Sequence, residues 1–230
     1  MKENLLKFIN RTGGIKCASK FLNTSPNNIY RWLRGERAYP YSLCIEIAKK
    51  MNMNIWKMLN NEQIKSMTSN NYCRIRQRIS EEEFNILAWI LADGNMGGKN
   101  NDITISQQNR KALEKLAILI ENNFQTNNIT HFNRDRSNWK LDIANRGIKY
   151  YFNLRYNIPL DRKCNKIRVP LKLYNSSKNA KLAFLAVSIE ADGTFSFYRR
   201  IKKSGKMYIV PRVTFASNSL EFLKRCTNIT

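Results

Sequence analysis

Histidine is almost missing from this chain: one residue, His131, in 230. That excludes chemistry needing two imidazoles, such as an H-E-x-x-H zinc site. His131 lies in the polar run "THFNRD" with no nucleophile elbow, so a strand-surface residue is expected rather than a member of a hydrolase triad. The five cysteines (Cys17, Cys44, Cys73, Cys164, Cys226) form no C-x-x-C pair, so neither a zinc knuckle nor a disulfide framework is readable. No apolar run approaches the roughly 20 residues that span a bilayer. "LLKFI" near the start falls short of the roughly 7 to 15 apolar residues of a secretory signal. A protein of a reducing compartment, the cytoplasm with nucleus or organelle as alternatives, and with no membrane partner, is the expectation. Acids are scarce too: 17 Asp+Glu against 40 Lys+Arg leave a formal charge of +23. Such a balance calls for a polyanion, and nucleic acid fits better than a lipid surface. Charge by itself does not separate DNA from RNA.

What is present begins with short helices. Residues 1–62 include "GGIKCASKFLNTSPNNIYRWLRGERAYPYSLCIEIAKK". Here Ser25 is a good N-cap, Pro26 occupies the first helical position and Gly35 is placed to stop the helix. A preceding short helix from Ile15 to Leu22 and the tight turn "LNTSP" make a helix-turn-helix unit. Ile29, Leu33 and Trp32 are expected inside, with Asn27, Asn28, Arg31 and Arg34 outside. Asn pairs bidentately with adenine and Arg with guanine in a major groove, while neighbouring cations hold phosphates. The segment resembles the Cro/YdaS-like repressor domains. A helical bundle used for protein contact is the alternative.

Residues 63–79 turn polar and lose helical periodicity, which reads as a basic linker. Arg74, Arg76 and Arg78 alternate there, either as a phosphate track or as a solvated connector. Ser80 and Glu83 in "SEEEF" then form a capping box, with acids crowding the first turn as the helix dipole prefers.

The helix so opened, "ILAWILADG" (Ile86 to Gly94), has a second copy in "LAVSIEADG" (Leu185 to Gly193). Both are apolar and both end in Ala-Asp-Gly, placing Asp93 and Asp192 at equivalent sites of an internal repeat. A carboxylate at a helix C-terminus faces the negative end of the dipole, at a cost of about 0.3–1 kcal/mol, so a compensating group is expected. After the first copy come a strand "DITISQ", a helix "NRKALEKLAILIENNF", a hairpin "NITHFNRD"/"NWKLDIAN" and a helix "RGIKYYFNLRYN"; after the second come a hairpin, "TFSFYRR" with "YIVPRVTFAS", and a helix beginning "NSLEFLKRC".

On these residues the chain from about Ser80 to Thr230 resembles the LAGLIDADG homing endonucleases, intron-encoded or free-standing hydrolases that cut DNA. The resemblance implies an α+β fold of αββαββα halves preceded by the small all-α helix-turn-helix domain. Residues 80–177 would form the first half and 178–230 an incomplete second half. It implies that the two helices pack together, that their sheets form a saddle on double-stranded DNA, and that Asp93 and Asp192 bind divalent metal, Mg²⁺ fitting best. Ala88 and Ala92 offer a narrow strip for close helix approach, with Val187 and Ala191 as matching positions and Ala183 or Ala186 contributing. Gly94 and Gly193 are expected to take left-handed cap conformations. Gln107 corresponds to a polar catalytic-site residue typical of the family, with Ser217 in the second half, and Lys163 to a basic residue near the metal, with Lys140 behind it; for either lysine a plain phosphate contact is the alternative to a catalytic role.

Binding is expected from the basic hairpin "TFSFYRRIKKSGKMYIVPRVTF", where Arg199, Arg200, Lys202, Lys203, Lys206 and Arg212 occur with no acid between Gly193 and Glu221. A twisted two-stranded ribbon fits a major groove, one face packing and the other reading bases. A complete second half would add a hairpin and helix after "TNIT". A truncated frame, a shortened saddle on a monomer, or a dimer completed by a second chain are the expectations. A non-catalytic DNA-binding regulator, an inactive remnant and an RNA-binding intron maturase are the rival functions.

Overall fold

The computed structural model describes residues 1–60, 62–65, 72–97, 103–126, 130–135, 137–160 and 166–229, with the backbone alone at 63–65 and 72. The architecture is α+β, with antiparallel sheets. Two compact units are distinguished: Met1–Lys65 with Arg74–Arg78, and Ser66–Cys73 with Ile79–Thr230.

The first unit contains α1 (Lys2–Thr12), α2 (Ile15–Phe21), α3 (Pro26–Leu33), α4 (Tyr41–Lys50) and α5 (Ile55–Met58). Leu5, Phe8, Ala18, Ile29, Trp32, Leu43 and Ile47 form its core. Local chemistry sets the α3 boundaries. Ser25 Oγ accepts the Asn28 N–H at 3.3 Å ahead of Pro26. At the other end the Glu36 N–H reaches back to the Arg31 carbonyl at 2.9 Å over Gly35, whose φ is +75°. Ile29 and Trp32 are buried and Leu33 is half-buried.

The segment read as a polar linker contains two short strands, β1 (Gln63–Lys65) and β2 (Tyr72–Arg74). Cys73 and Ile75 within it are fully buried. The alternation that suggested an arginine track has an apolar counterpart: Cys73 and Ile75 go inward, Arg74 is half-buried, and Arg76 and Arg78 are exposed.

In the second unit, α6 (Glu81–Ala92) leads into β3 (Gly94–Asn95) and β4 (Ile103–Gln107). Then come α7 (Arg110–Phe124), the hairpin β5 (Thr130–Asp135) and β6 (Asn138–Ile143), and α8 (Arg146–Tyr156). These strands form one antiparallel sheet in the order β3-β4-β6-β5. Ile103, Ile105, Leu141 and Ile143 are buried on one face, and α7 packs against β4 and β6. The rings of Phe124, Tyr151 and Phe152 meet edge to face at 5.5–5.8 Å. The alternate residues Thr104, Asp142, Lys140 and Asn133 make the other face polar. His131, on β5, is exposed.

Then follow α9 (Leu171–Tyr174), α10 (Lys178–Asp192), the nine-residue strands β7 (Gly193–Ile201) and β8 (Met207–Phe215), and α11 (Leu220–Cys226). Helices α6 and α10 make the most extensive helix–helix contact among the described residues. They run in the same direction, because Ser177, the N-cap of α10, donates its hydroxyl to Glu81 Oε1 in the first turn of α6 at 2.8 Å. The buried residues of α10 are Ala180, Phe184 and Ser188, one i, i+4, i+8 stripe. Val187 and Ala191, the expected contact positions, are only half-buried, whereas Ala88 on α6 is fully buried.

Candidate functional site

Parallel helices starting together finish at the same end of the pair, and both finish in Ala-Asp-Gly. Asp93 is the C-cap of α6 and Asp192 the last residue of α10. Each glycine is at once the first residue of a strand, β3 or β7. The expected left-handed caps are not formed: Gly193 is extended at φ −104°, ψ 171°, and Gly94 is not among the positive-φ glycines. The reason for glycine is close approach. A Cβ at Gly94 would stand 2.5 Å from the Ile90 carbonyl oxygen, and one at Gly193 would stand 2.5 Å from that of Ile189. The chain folds straight back over the last helical turn into the strand, at both copies in the same way.

Gln107, at the end of β4, donates Nε2–H to Asp93 Oδ2 at 3.1 Å. The structure thus brings together Asp93 and the glutamine assigned to it. Asp93 is half-buried and Asp192 exposed. Lys163 lies outside the described residues. Lys140 is on β6, where Nζ holds Asp135 Oδ2 at 2.5 Å. Ser217 accepts the Ser219 N–H at 3.2 Å ahead of α11. Among the described residues no three His, Cys, Asp or Glu side chains gather as a metal cluster.

At the far end of α6 the capping box is only half made. Ser80 Oγ accepts the Glu83 N–H at 3.1 Å, and its hydroxyl donates to Asn123 Oδ1 at 2.9 Å. The Glu83 side chain turns inward. Its Oε1 accepts the Tyr151 hydroxyl at 2.6 Å and the Tyr156 hydroxyl, with Arg155 Nε 3.7 Å away. The side chains of Glu83 and Arg155 are 3% and 2% exposed. Burial pushes the Glu83 carboxyl up, against the pull of Arg155 and the two tyrosine bonds. Burial and the neighbouring Glu83 charge likewise raise both phenols. Burial lowers the Lys172 ammonium, with Arg155 reinforcing it.

On α3, Asn27, Arg31 and Arg34 are exposed and Asn28 is half-buried. Asn28 is engaged within its own unit, donating to Thr24 Oγ1 and accepting from Arg37, both at 3.1 Å. Arg31 and Arg34 converge on Glu36, at 3.8 and 2.8 Å, which offsets part of their charge.

The register of β7–β8 divides the basic candidates. Ser196 pairs with Arg212, Tyr198 with Val210 and Arg200 with Tyr208, so Arg200 and Arg212 share a face with two tyrosines. Arg212 stacks on Tyr198 at 5.3 Å. Arg199 falls on the opposite face, among Phe195, Phe197, Ile201, Met207, Ile209 and Val213. Lys202, Lys203 and Lys206 sit at the exposed turn. The apolar face was expected to pack. Phe215 at its base meets Phe222 of α11 at 5.8 Å, while Phe197 and Ile201 are 66% and 74% exposed.

One acid on the polar sheet face escaped the sequence reading. Asp142 accepts from Thr104 at 2.7 Å and from Asn133 at 2.7 Å. Its signal was the strict alternation of "KLDI" in β6, which puts Asp142 and Lys140 on one side. No helix of the described residues is long and apolar enough to cross a membrane. No family model matches the chain, and no curated protein matches it either.

Proposed function

We propose that this chain is a site-specific double-strand DNA endonuclease of the LAGLIDADG type, in which Asp93 and Asp192 hold Mg²⁺. The observation that carries this reading is the duplicated helix end. Two parallel, packed helices each terminate in Asp-Gly, and each glycine is held too close to the preceding turn for a side chain. Two carboxylates at the same end of a helix pair combine like charge with two negative dipole ends, an arrangement a cation relieves. The donor chemistry suits Mg²⁺, which binds through one or two carboxylates and completes its shell with water and substrate phosphate oxygens. When bound, the ion would lower the pKa of a water and polarise the phosphoryl oxygen, so no protein nucleophile is required.

The chain's own residues orient and bind. Gln107 fixes one oxygen of Asp93, and Glu83 anchors the opposite end of α6 in the core. The order helix, two strands, helix, two strands, helix from α6 to α8 is the order expected of one half of such a nuclease. The excess of cations supports a DNA partner, with Arg200 and Arg212 on the polar face of the β7–β8 ribbon and the Cro-like reading of α3 adding a second reading element.

The test uses the full chain and duplex DNA spanning its insertion site, with Mg²⁺ or Ca²⁺. Double-strand cleavage in Mg²⁺ is expected, binding without cleavage in Ca²⁺, and no cleavage by Asp93→Asn or Asp192→Asn. Binding without cleavage under every condition would replace this reading with a DNA-binding regulator. Preferential binding of structured intron RNA would replace it with a splicing role.

A further inference from the structure

Beside Asp93 the register sets three side chains in a row that continues the core-face parity of the sheet past its buried part. Gln107 of β4 pairs with Trp139 of β6, and Trp139 pairs with Arg134 of β5. Arg110, the first residue of α7, stacks on the same indole at 4.5 Å, and Arg134 lies 5.6 Å from it. Two guanidinium groups are therefore gathered on one half-buried tryptophan, next to the glutamine that holds Asp93.

Gathering two like charges costs repulsion that each cation–π contact, about 0.5–1 kcal/mol at an exposed site, only partly offsets. Glu114 neutralises part of it, accepting from Arg110 Nε at 2.8 Å. Arg134 is exposed, and among the described residues its guanidinium makes no ion pair, Asp135 beside it being held by Lys140. An anion between the two guanidinium groups would complete the arrangement. Planar, multi-donor guanidinium groups held by an aromatic face are suited to phosphate oxygens, and stacking removes side-chain freedom before binding.

We infer that Arg110, Trp139 and Arg134 form a phosphate clamp, which takes a DNA backbone phosphate close to the Asp93 site. Two strand spacings separate β5 from β4, about 10 Å. The clamped phosphate is thus within about 10 Å of the Asp93 site. Trp139 is a positioning residue and the arginines are the binding groups. The assignment rests on the endonuclease reading for its substrate, DNA.

The experiment is binding of the full chain to a labelled mixed-sequence 30-base-pair duplex in EDTA, over a series of KCl concentrations. Arg110→Ala and Arg134→Ala are each expected to lower the slope of log K against log salt, and the double variant to lower it by about 0.9, the one phosphate that the pair holds. Lys111→Ala, at an exposed position on the same helix, should leave the slope unchanged. Trp139→Ala removes no charge, yet should weaken binding about two- to five-fold, and Trp139→Phe should restore it. Thermal melting checks that each variant is folded. Wild-type binding by a folded Trp139→Ala, or an unchanged slope in Arg134→Ala, overturns the clamp. A single-stranded RNA that outcompetes the duplex overturns its assignment to DNA. Because no metal is present, the clamp is judged apart from cleavage. Cleavage in Mg²⁺ without these binding effects removes the clamp and keeps the endonuclease, and the reverse pattern keeps the clamp.

Discussion

At Gly193 the atom nearest an added Cβ is the Ile189 carbonyl oxygen, at 2.5 Å, and at Gly94 it is that of Ile90, also at 2.5 Å. Backbone atoms of a helix cannot swing aside, so Gly193→Ala is expected to cost about 1–3 kcal/mol, the range for overpacking. Gly205 offers the contrast. Nothing lies within 4 Å of its Cβ position, but its φ is +78°, so alanine there costs about 1–2 kcal/mol through backbone conformation. Asparagine tolerates that conformation better than alanine, so Gly205→Asn should be cheaper than Gly205→Ala, whereas Gly193→Asn should be no cheaper than Gly193→Ala. Urea midpoints of the four variants decide it, and equal costs at both positions would contradict the steric account. The need for glycine at 94 and 193 was legible in the repeated motif, but its cause was not. A left-handed cap follows from local sequence, whereas the close approach depends on the strand that follows, pinned by Gly193 pairing with Phe215.

Helix α6 shows the same division at the scale of an element. Its start was legible because Ser80 and the Glu83 N–H are three residues apart. The destination of the Glu83 carboxylate was not, because Tyr151, Arg155 and Tyr156 lie about seventy positions away and only the fold brings them close. That buried acid has a pH signature. Its folded pKa is raised above the unfolded value near 4.5, so the folded state binds more protons in the window between the two. The stability this confers is fully present below the unfolded value and is lost as pH rises through the folded one. Glu83→Gln cannot titrate, so the wild type should lose stability relative to it as pH rises from about 4.5 through the raised value. Urea denaturation of both proteins across that range measures the difference, and a constant difference would refute the assignment. Tyr156→Phe, which removes one donor to the carboxylate, should cost about 1.5–3 kcal/mol in the same assay. The β7–β8 hairpin was legible as a basic ribbon, but not in its faces, since a one-residue change of register exchanges them. With Arg200 on the polar face and Arg199 on the apolar one, Arg200→Ala should lower the salt slope of DNA binding by about 0.9. Arg199→Ala should leave it unchanged, and equal effects would deny that the ribbon binds through one face.

Across the whole molecule, the charge of +23 was the plainest signal in the sequence, and it predicts affinity rather than chemistry. On the proposed reading, a chain this basic would bind nucleic acid through many phosphates, with an affinity that falls steeply with salt. Loss of one side chain from an exposed reading surface then shifts affinity without touching the reacting centre. Asn27 is exposed on α3 in the first unit, while Asp93 belongs to the second. Their substitutions should therefore separate two properties of the same chain. Asn27→Ala should weaken binding to the cognate duplex by about 1–3 kcal/mol, the worth of one good base contact, and leave binding to mixed-sequence DNA unchanged. Its single-turnover cleavage rate at saturating protein should equal that of the wild type. Asp93→Asn should do the opposite, abolishing cleavage while the duplex is still bound in Ca²⁺. Should Asn27→Ala slow cleavage at saturation, the first unit would belong to the reacting centre. Should Asp93→Asn instead abolish binding, the carboxylate would be holding the fold, and the duplicated helix ends would be a packing device.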